Sequence, residues 1–173
     1  MQNPNELFDV VDADDRVIGR ATRWQVHARG LRHRAVHILI FDPTGCLFVQ
    51  KRSATKDTFP GCYDSSASGH LKSGEDYGTC AVREVHEELG LETTRRHLRR
   101  HFKIAACAQT GWEFVWVYSL HGDYRPRPDP DEIERGAFLS RAEVGALPAA
   151  QCAPAFIWIL QEFRARGLFP QSR

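Results

Sequence analysis

Three glutamates, Glu84, Glu87 and Glu88, stand at i, i+3 and i+4 within Arg83-Glu84-Val85-His86-Glu87-Glu88-Leu89-Gly90. On a helix this spacing gathers three carboxylates on about one turn, where a like-charged i, i+4 pair costs about 0.2–0.5 kcal/mol. Something positive must offset that repulsion. Hard oxygen donors grouped in this way suit Mg²⁺ or Mn²⁺, which bind through a few carboxylates and keep positions open for water and phosphate oxygens. Arg83, four residues before Glu87, can hold that carboxylate with a forked hydrogen bond. Taken alone, an acidic triplet more often marks a solvated helix face, so the residues around it have to decide.

The elements that position these groups are readable from pattern. Asp76 can cap a helix that runs to Leu89 and is stopped by Gly90, with Cys80, Ala81, Val85 and Leu89 as its apolar stripe. Ala35 to Phe41 is nearly continuous and apolar, Pro43-Thr44-Gly45 supplies a turn, and Cys46 to Arg52 alternates well enough to pair back as a second strand. Further strands are predicted over 98–107, 114–120 and 137–139, then a helical turn capped by Ser140 and an amphipathic helix over 154–166. Near the start, Leu7 to Val11 and Arg16 to Ala21 flank Asp12-Ala13-Asp14-Asp15, a composition that favours a hairpin turn, and Thr22 can cap a short helix to Ala28. This order indicates an α/β or α+β mixed sheet sandwiched between helices, not a bundle. The change of character near Gly30 divides the chain into a unit of hairpin and short helix over 1–30 and a main domain over 31–173.

The glutamates belong to a longer pattern. Gly69-His70-Leu71-Lys72-Ser73-Gly74-Glu75, seven further residues, and Arg83 through Leu91 fit G-x5-E-x7-R-E-U-x-E-E-x-G-U at every specified position, U being a bulky aliphatic. Nine fixed positions coincide by chance on the order of once in a billion start sites. The segment resembles the Nudix box. The resemblance implies a Nudix fold, Mg²⁺ or Mn²⁺ as cofactor, and hydrolysis of the pyrophosphate bond in a nucleoside diphosphate linked to another group, most simply a nucleoside di- or triphosphate. It implies Glu84, Glu87 and Glu88 as metal ligands with the carbonyl of Ser68, next to a glycine that permits close backbone approach. Glu75 is expected to brace the loop or a further metal, not to perform the chemistry.

Outside the box the resemblance points to Arg52 as a phosphate-binding residue, its alternative being a solvated strand end. Phe59-Pro60-Gly61 is similar to the aromatic-Pro-Gly that precedes the box strand, and Phe59, like Tyr63, Trp112 and Trp116, can stack on a nucleobase or simply pack. Three residues are candidates for the catalytic base: Glu132 in the late acidic loop, Glu113 at the start of a strand, which is also a candidate ligand, and Glu87, with Arg83 beside it.

Within the superfamily the chain is similar to the branch shared with isopentenyl diphosphate isomerase. His27, His33 and the Gly69-His70 pair are similar to that isomerase's metal-site histidines. The isomerase, however, uses a Cys immediately before Gly-His to exchange a carbon-bound proton. Here that residue is Ser68, far too weak an acid. Aligned without gaps, the isomerase's carbocation-stabilising aromatic falls at Ala150. Hydrolysis is therefore expected, with isomerisation and an inactive nucleotide sensor as the alternatives, and in a hydrolase the three histidines read as ordinary surface or capping residues.

Composition narrows the partners. The 173 residues carry 23 basic and 22 acidic side chains, a formal charge of +1, so no global field holds a polyanion, and a small-molecule nucleotide is expected rather than nucleic acid. Five cysteines, odd in number and lacking a C-x-x-C pair, read as reduced thiols. No apolar run approaches the roughly 20 residues needed to span a bilayer, and no signal-peptide pattern opens the chain, so a cytoplasmic location is expected. Oligomeric state stays open.

Overall fold

A computed structural model describes residues 3–170. In chain order its elements are β1 (Leu7–Val11), β2 (Val17–Thr22), α1 (Arg23–Arg29), β3 (His33–Phe41), β4 (Leu47–Arg52), β5 (Tyr63–Asp64), β6 (Ala67–His70), α2 (Tyr77–Leu89), β7 (Arg99–Ile104), β8 (Glu113–His121), β9 (Ile133–Leu139), α3 (Arg141–Ala146) and α4 (Pro154–Ala165). The β1–β2 hairpin forms its own two-stranded sheet, and the other strands form one mixed sheet flanked by helices. No helix among the described residues is long and apolar enough to cross a membrane. All five cysteines are free.

β3 is central because it is buried on both faces, which is why from Ala35 on it reads as a nearly continuous apolar run broken only by His37. Its alternation sends Ala35, Leu39 and Phe41 into a core under α4, with Phe156, Ile159 and Phe163. Val36, Ile38 and Ile40 enter a second core under α2, with Cys80, Ala81, Val85 and Leu89. Along one edge β3 pairs in parallel with β8 over its whole length, from His33–Glu113 to Phe41–His121.

On the other edge the sheet splits. The sequence suggests that β4 pairs back on β3, but the two strands share only the Phe41–Leu47 pair, and β4 instead runs antiparallel to β9 from Leu47–Leu139 to Arg52–Ile133. The gap between the diverging strands is filled by β5, paired to β4, and β6, paired to β3. Ser66 stitches the two sides, its Oγ donating to the Phe48 carbonyl at 2.5 Å and accepting from the Ile40 amide at 2.8 Å. A hydroxyl is needed there because the backbone groups of separating strands would otherwise lose their partners.

α2 starts where Asp76 accepts from the Gly78 and Thr79 amides, and stops at Gly90 in the left-handed region (φ 60°). These caps fix which face of α2 meets β6. The hairpin unit docks onto the same body through the turn residue Asp15, itself left-handed at φ 63°. Its carboxylate accepts from Arg34 Nε at 2.6 Å, from the Tyr77 hydroxyl at 2.9 Å and from Lys103. Burial pushes the Asp15 pKa up, yet Lys103, Arg34 and Tyr77 together hold it below the ordinary value.

A carboxylate whose folded pKa is lowered stabilises the fold fully above its unfolded pKa, about 3.9, and loses that contribution as pH falls through the folded value. Asp15→Asn keeps a residue that tolerates the left-handed backbone but removes the charge. It should lower unfolding free energy by about 1–3 kcal/mol at pH 7. Urea titrations of both proteins should show the gap narrowing below about pH 4, whereas a gap independent of pH would mean the carboxylate's charge is not what Arg34 and Lys103 bind.

Candidate active site

α2 lies across β6 so closely that a side chain on Gly69 would have to displace the Glu84 carboxylate: a Cβ built there would stand 2.0 Å from the Glu84 carboxyl carbon and Oε1. Glu84 and Glu88, one turn apart, are buried at 8% and 3% exposure, while the Glu87 side chain, on the flank, is 49% exposed. Burial raises the pKa of both inner carboxyls, and the Glu88 charge raises Glu84 further. Such a pair demands cationic company, and the structure supplies it from several directions.

Arg83 Nη1 donates to Glu84 Oε1 at 2.6 Å and to Glu87 Oε2 at 2.9 Å. The forked bond expected on Glu87 is made instead to Glu75, with Nε to Oε1 at 2.9 Å and Nη2 to Oε2 at 2.8 Å. Geometry is the reason: Glu75 presents both oxygens edge-on from the loop, whereas Glu87 on the same helix can reach only one nitrogen. Glu75 also accepts from the Lys72 amide, so it braces the box loop as expected. On the other side Lys56 Nζ lies 3.5 Å from Glu88 Oε1 and contacts Glu132. Glu88 Oε2 accepts from Gln50 Nε2 at 3.3 Å and from the Ser68 amide at 3.1 Å.

These groups line a cleft of about 320 Å³ that contains Ser68, Gly69, Glu84, Glu87, Glu88, Glu132, Arg23, Lys56, Lys72 and Arg83. A neighbouring cavity of about 240 Å³ shares Ser68, Gly69, His70, Arg23 and Lys56 and adds Arg52, Phe59, Thr110 and Glu113. The candidate residues are thus divided between two connected spaces. Glu132 faces the carboxylate cleft. Glu113 lies in the other, its Oε1 accepting from His70 Nε2 at 2.8 Å. Burial would raise its pKa, but His70 and His33 hold it well below the ordinary carboxylate range.

Arg52 is not a solvated strand end: it is 7% exposed, with Nη1 donating to Asp64 Oδ2 at 2.8 Å and Nε to the Thr58 carbonyl at 3.1 Å. Phe59 is half exposed at the cavity wall in a left-handed conformation. The sequence does not single out Lys56, Gln50 or Arg23. Nothing in their local sequence sets them apart, and only the folding of a loop and two distant elements onto β6 brings them to the site. His33, wholly buried, and His70 are not surface or capping residues; with His27 they form a cluster of ring contacts about 5 Å between centroids.

The NUDIX domain family model matches residues 31–157. An uncharacterized Nudix hydrolase of Streptomyces coelicolor is 38% identical over 146 residues, covering 83% of this chain and 80% of its own. YfcD of Escherichia coli, also called an uncharacterized Nudix hydrolase, is 34% identical over 143 residues, covering 82% and 77%. Among solved structures, DR0079 from Deinococcus radiodurans has a TM-score of 0.77 at 27% identity, over 91% of this chain and 98% of that one. The NUDIX domain of Shewanella oneidensis NrtR, crystallised with ADP ribose, has the same fold with a TM-score of 0.62 at 13% identity, over 84% and 99%.

Gly69→Ala tests the close approach of α2 to β6. Because the added methyl must displace the Glu84 carboxylate, Mn²⁺ affinity measured by calorimetry should fall at least about tenfold, about 1.4 kcal/mol. Circular dichroism should be unchanged. Native affinity in the variant would mean that Glu84 does not ligate from this position.

Proposed function

This chain belongs to the Nudix family of hydrolases and is a Nudix pyrophosphohydrolase; on that premise we propose that it cleaves the pyrophosphate bond of a nucleoside diphosphate linked to another group, most simply a nucleoside di- or triphosphate, with Mg²⁺. The reading rests on two buried carboxylates of like charge, Glu84 and Glu88, opening into a cleft that also holds Lys56, Lys72, Arg23 and Arg83. Carboxylates gathered against a cation and cations gathered against an anion are what a metal–phosphate substrate requires.

The donor set fits Mg²⁺. Glu84, Glu87 and Glu88 offer only oxygen, and Gly69 leaves the room that Glu84 occupies. These glutamates and the Ser68 carbonyl would hold the ion, which when bound supplies positive charge to phosphate oxygens and acidifies a water. Arg83 sets the orientation of Glu84 and Glu87. Lys56 and Arg23 in the wall of the same cleft, and Lys72 at its rim, present N–H groups to phosphate. Glu132 is the base of this reading because it faces the cleft, whereas Glu113 is engaged by His70. Glu87 is the alternative acceptor for the proton. Phe59 and Arg52 border the adjoining cavity, where the remainder of the substrate would lie, Phe59 stacking on its base.

Phosphate release from a nucleotide panel should vanish with chelator and return with Mg²⁺ or Mn²⁺. Glu88→Gln should lower kcat at least about a hundredfold, about 2.7 kcal/mol, with the fold intact. A near-native rate would reduce the cluster to a charged helix face.

Ser68 separates hydrolysis from isomerisation. If only its backbone acts, Ser68→Ala should hydrolyse nucleotides within about tenfold of the unmodified protein. Deuterium uptake into isopentenyl diphosphate should be absent from both. Uptake by the unmodified protein would overturn the hydrolase reading.

A further inference from the structure

The turn that presents Glu75 is held from the hairpin unit. Residues 72–75 are closed by the Glu75 amide on the Lys72 carbonyl at 2.9 Å, with Gly74 in the third position at φ 80°. That closing bond uses groups of the first and fourth residues only, so the amides of the second and third are left to find partners outside the turn. β1 takes both of them. The Ser73 amide donates to the Leu7 carbonyl at 2.8 Å, and the Gly74 amide donates to Asp9 Oδ2 at 2.9 Å. The Ser73 hydroxyl adds a third bond, to Asp9 Oδ1 at 2.7 Å.

Asp9 is buried, and burial pushes its pKa up, but the Gly74 amide, the Ser73 hydroxyl, Arg20 and Arg34 outweigh burial and hold it below the ordinary value. It is therefore a carboxylate that accepts on both oxygens. Asp9 lies outside residues 31–157 that the family model matches, and Ser73 and Gly74 are positions that the box pattern leaves open. The contact is thus a feature of this chain's hairpin unit, added to the box from outside.

Glu75 follows Gly74 directly. Its two oxygens take the Arg83 fork at 2.9 and 2.8 Å, and Arg83 Nη1 reaches Glu84 at 2.6 Å and Glu87 at 2.9 Å. Between Asp9 and the two glutamates every link is either a peptide bond or a hydrogen bond with an ionised partner, the kind that is short and directional. We propose that Asp9 is a positioning residue for the metal site: it fixes the 72–75 turn and, through Glu75 and Arg83, sets where Glu84 and Glu87 place their oxygens. This rests on the reading of those glutamates as metal ligands. The hairpin unit is then a working part of the site and not only a cover for the sheet. Simple docking of that unit is a separate matter, because it runs through Asp15 to Arg34, Tyr77 and Lys103 and leaves the turn untouched.

The test uses the full chain well below its melting temperature. In the metal-free protein the Arg83 Nε–H, identified in ¹⁵N NMR spectra by its loss in Arg83→Lys, should exchange slowly with water. Asp15→Asn should leave that exchange unchanged, and Asp9→Ala should speed it at least about tenfold. Mn²⁺ affinity by calorimetry should fall about tenfold in Asp9→Ala, the low end for groups that orient ligands from behind. It should stay native in Asp15→Asn and return to within about threefold in Asp9→Asn, whose amide oxygen still accepts from Gly74. Ser73→Ala, which keeps both backbone bonds, should move both readouts the same way by less, and decides the matter if Asp9→Ala does not fold. Adding Asp9→Ala to Glu75→Gln should cost no further Mn²⁺ affinity, because both changes break one chain of contacts. Unchanged Arg83 exchange or native Mn²⁺ affinity in Asp9→Ala, an equal loss in Asp15→Asn, or additive losses in the double variant would each overturn the proposal. Should the unmodified protein bind no Mn²⁺, the metal reading itself fails, and the Arg83 exchange still decides whether Asp9 holds the turn.

Discussion

Two carboxylates that would each be better solvated in water are buried one turn apart on α2, and the rest of the site is arranged around the cost of keeping them there. Removing an ionised group from water without partners is expensive enough that the group neutralises instead. Here Glu84 and Glu88 are met by Arg83, Lys56, the Gln50 amide and the Ser68 N–H. Each comes from a different element. The helix, the loop after β4, β4 itself and β6 must all be in register before the pair is compensated. A buried ion cluster of this kind contributes little net stability, but breaking one partner leaves an exposed imbalance, so it specifies geometry more than it strengthens the fold.

The split sheet makes that geometry possible. Had β4 paired with β3 along its length, no gap would exist for β5 and β6, and α2 would have no strand to lie against. The divergence leaves just enough width for Ser66 to bridge the Ile40 amide and the Phe48 carbonyl with one hydroxyl. Beside it Gln50, wholly buried, turns its amide toward both the Ser66 carbonyl and Glu88. The wedge is therefore polar in its middle and apolar on both outer faces, which is unusual for the centre of a sheet and explains the small, hydroxylated run from Tyr63 to Ser68.

What the sequence made readable was local. Asp76, Gly90, Thr22 and Ser140 cap their helices through neighbours within five residues, and the box spacing is itself a property of one helix and the loop before it. What it concealed depends on contacts far apart in the chain. Asp15 reads as a turn former, yet it gathers Arg34, Tyr77 and Lys103. Lys56 reads as a loop lysine, yet its side chain is 4% exposed between two glutamates. The pairing of β4 is hidden from the sequence for the same reason. A short turn such as Pro43-Thr44-Gly45 allows a hairpin, but partner choice is set by what fills the neighbouring space, here a serine bridge and β9. Hydrophobic pattern tells which face of a strand is buried; it does not tell which polar group is buried with it.

β6 is four residues long, and its consecutive positions face opposite ways. At Gly69 the missing side chain leaves room for Glu84, and at His70 the imidazole turns away toward His33, Phe8 and Glu113. A strand's register is ordinarily enforced by one buried apolar face, and a slip of one residue exchanges its two sides. Here the slip would drive an imidazole into the carboxylates and leave a hole among the histidines, two independent errors from one displacement. The dipeptide Gly69-His70 thus acts as an alignment mark read from both sides of the strand, which is how so short a segment, with few ladder bonds of its own, holds a single position against β3.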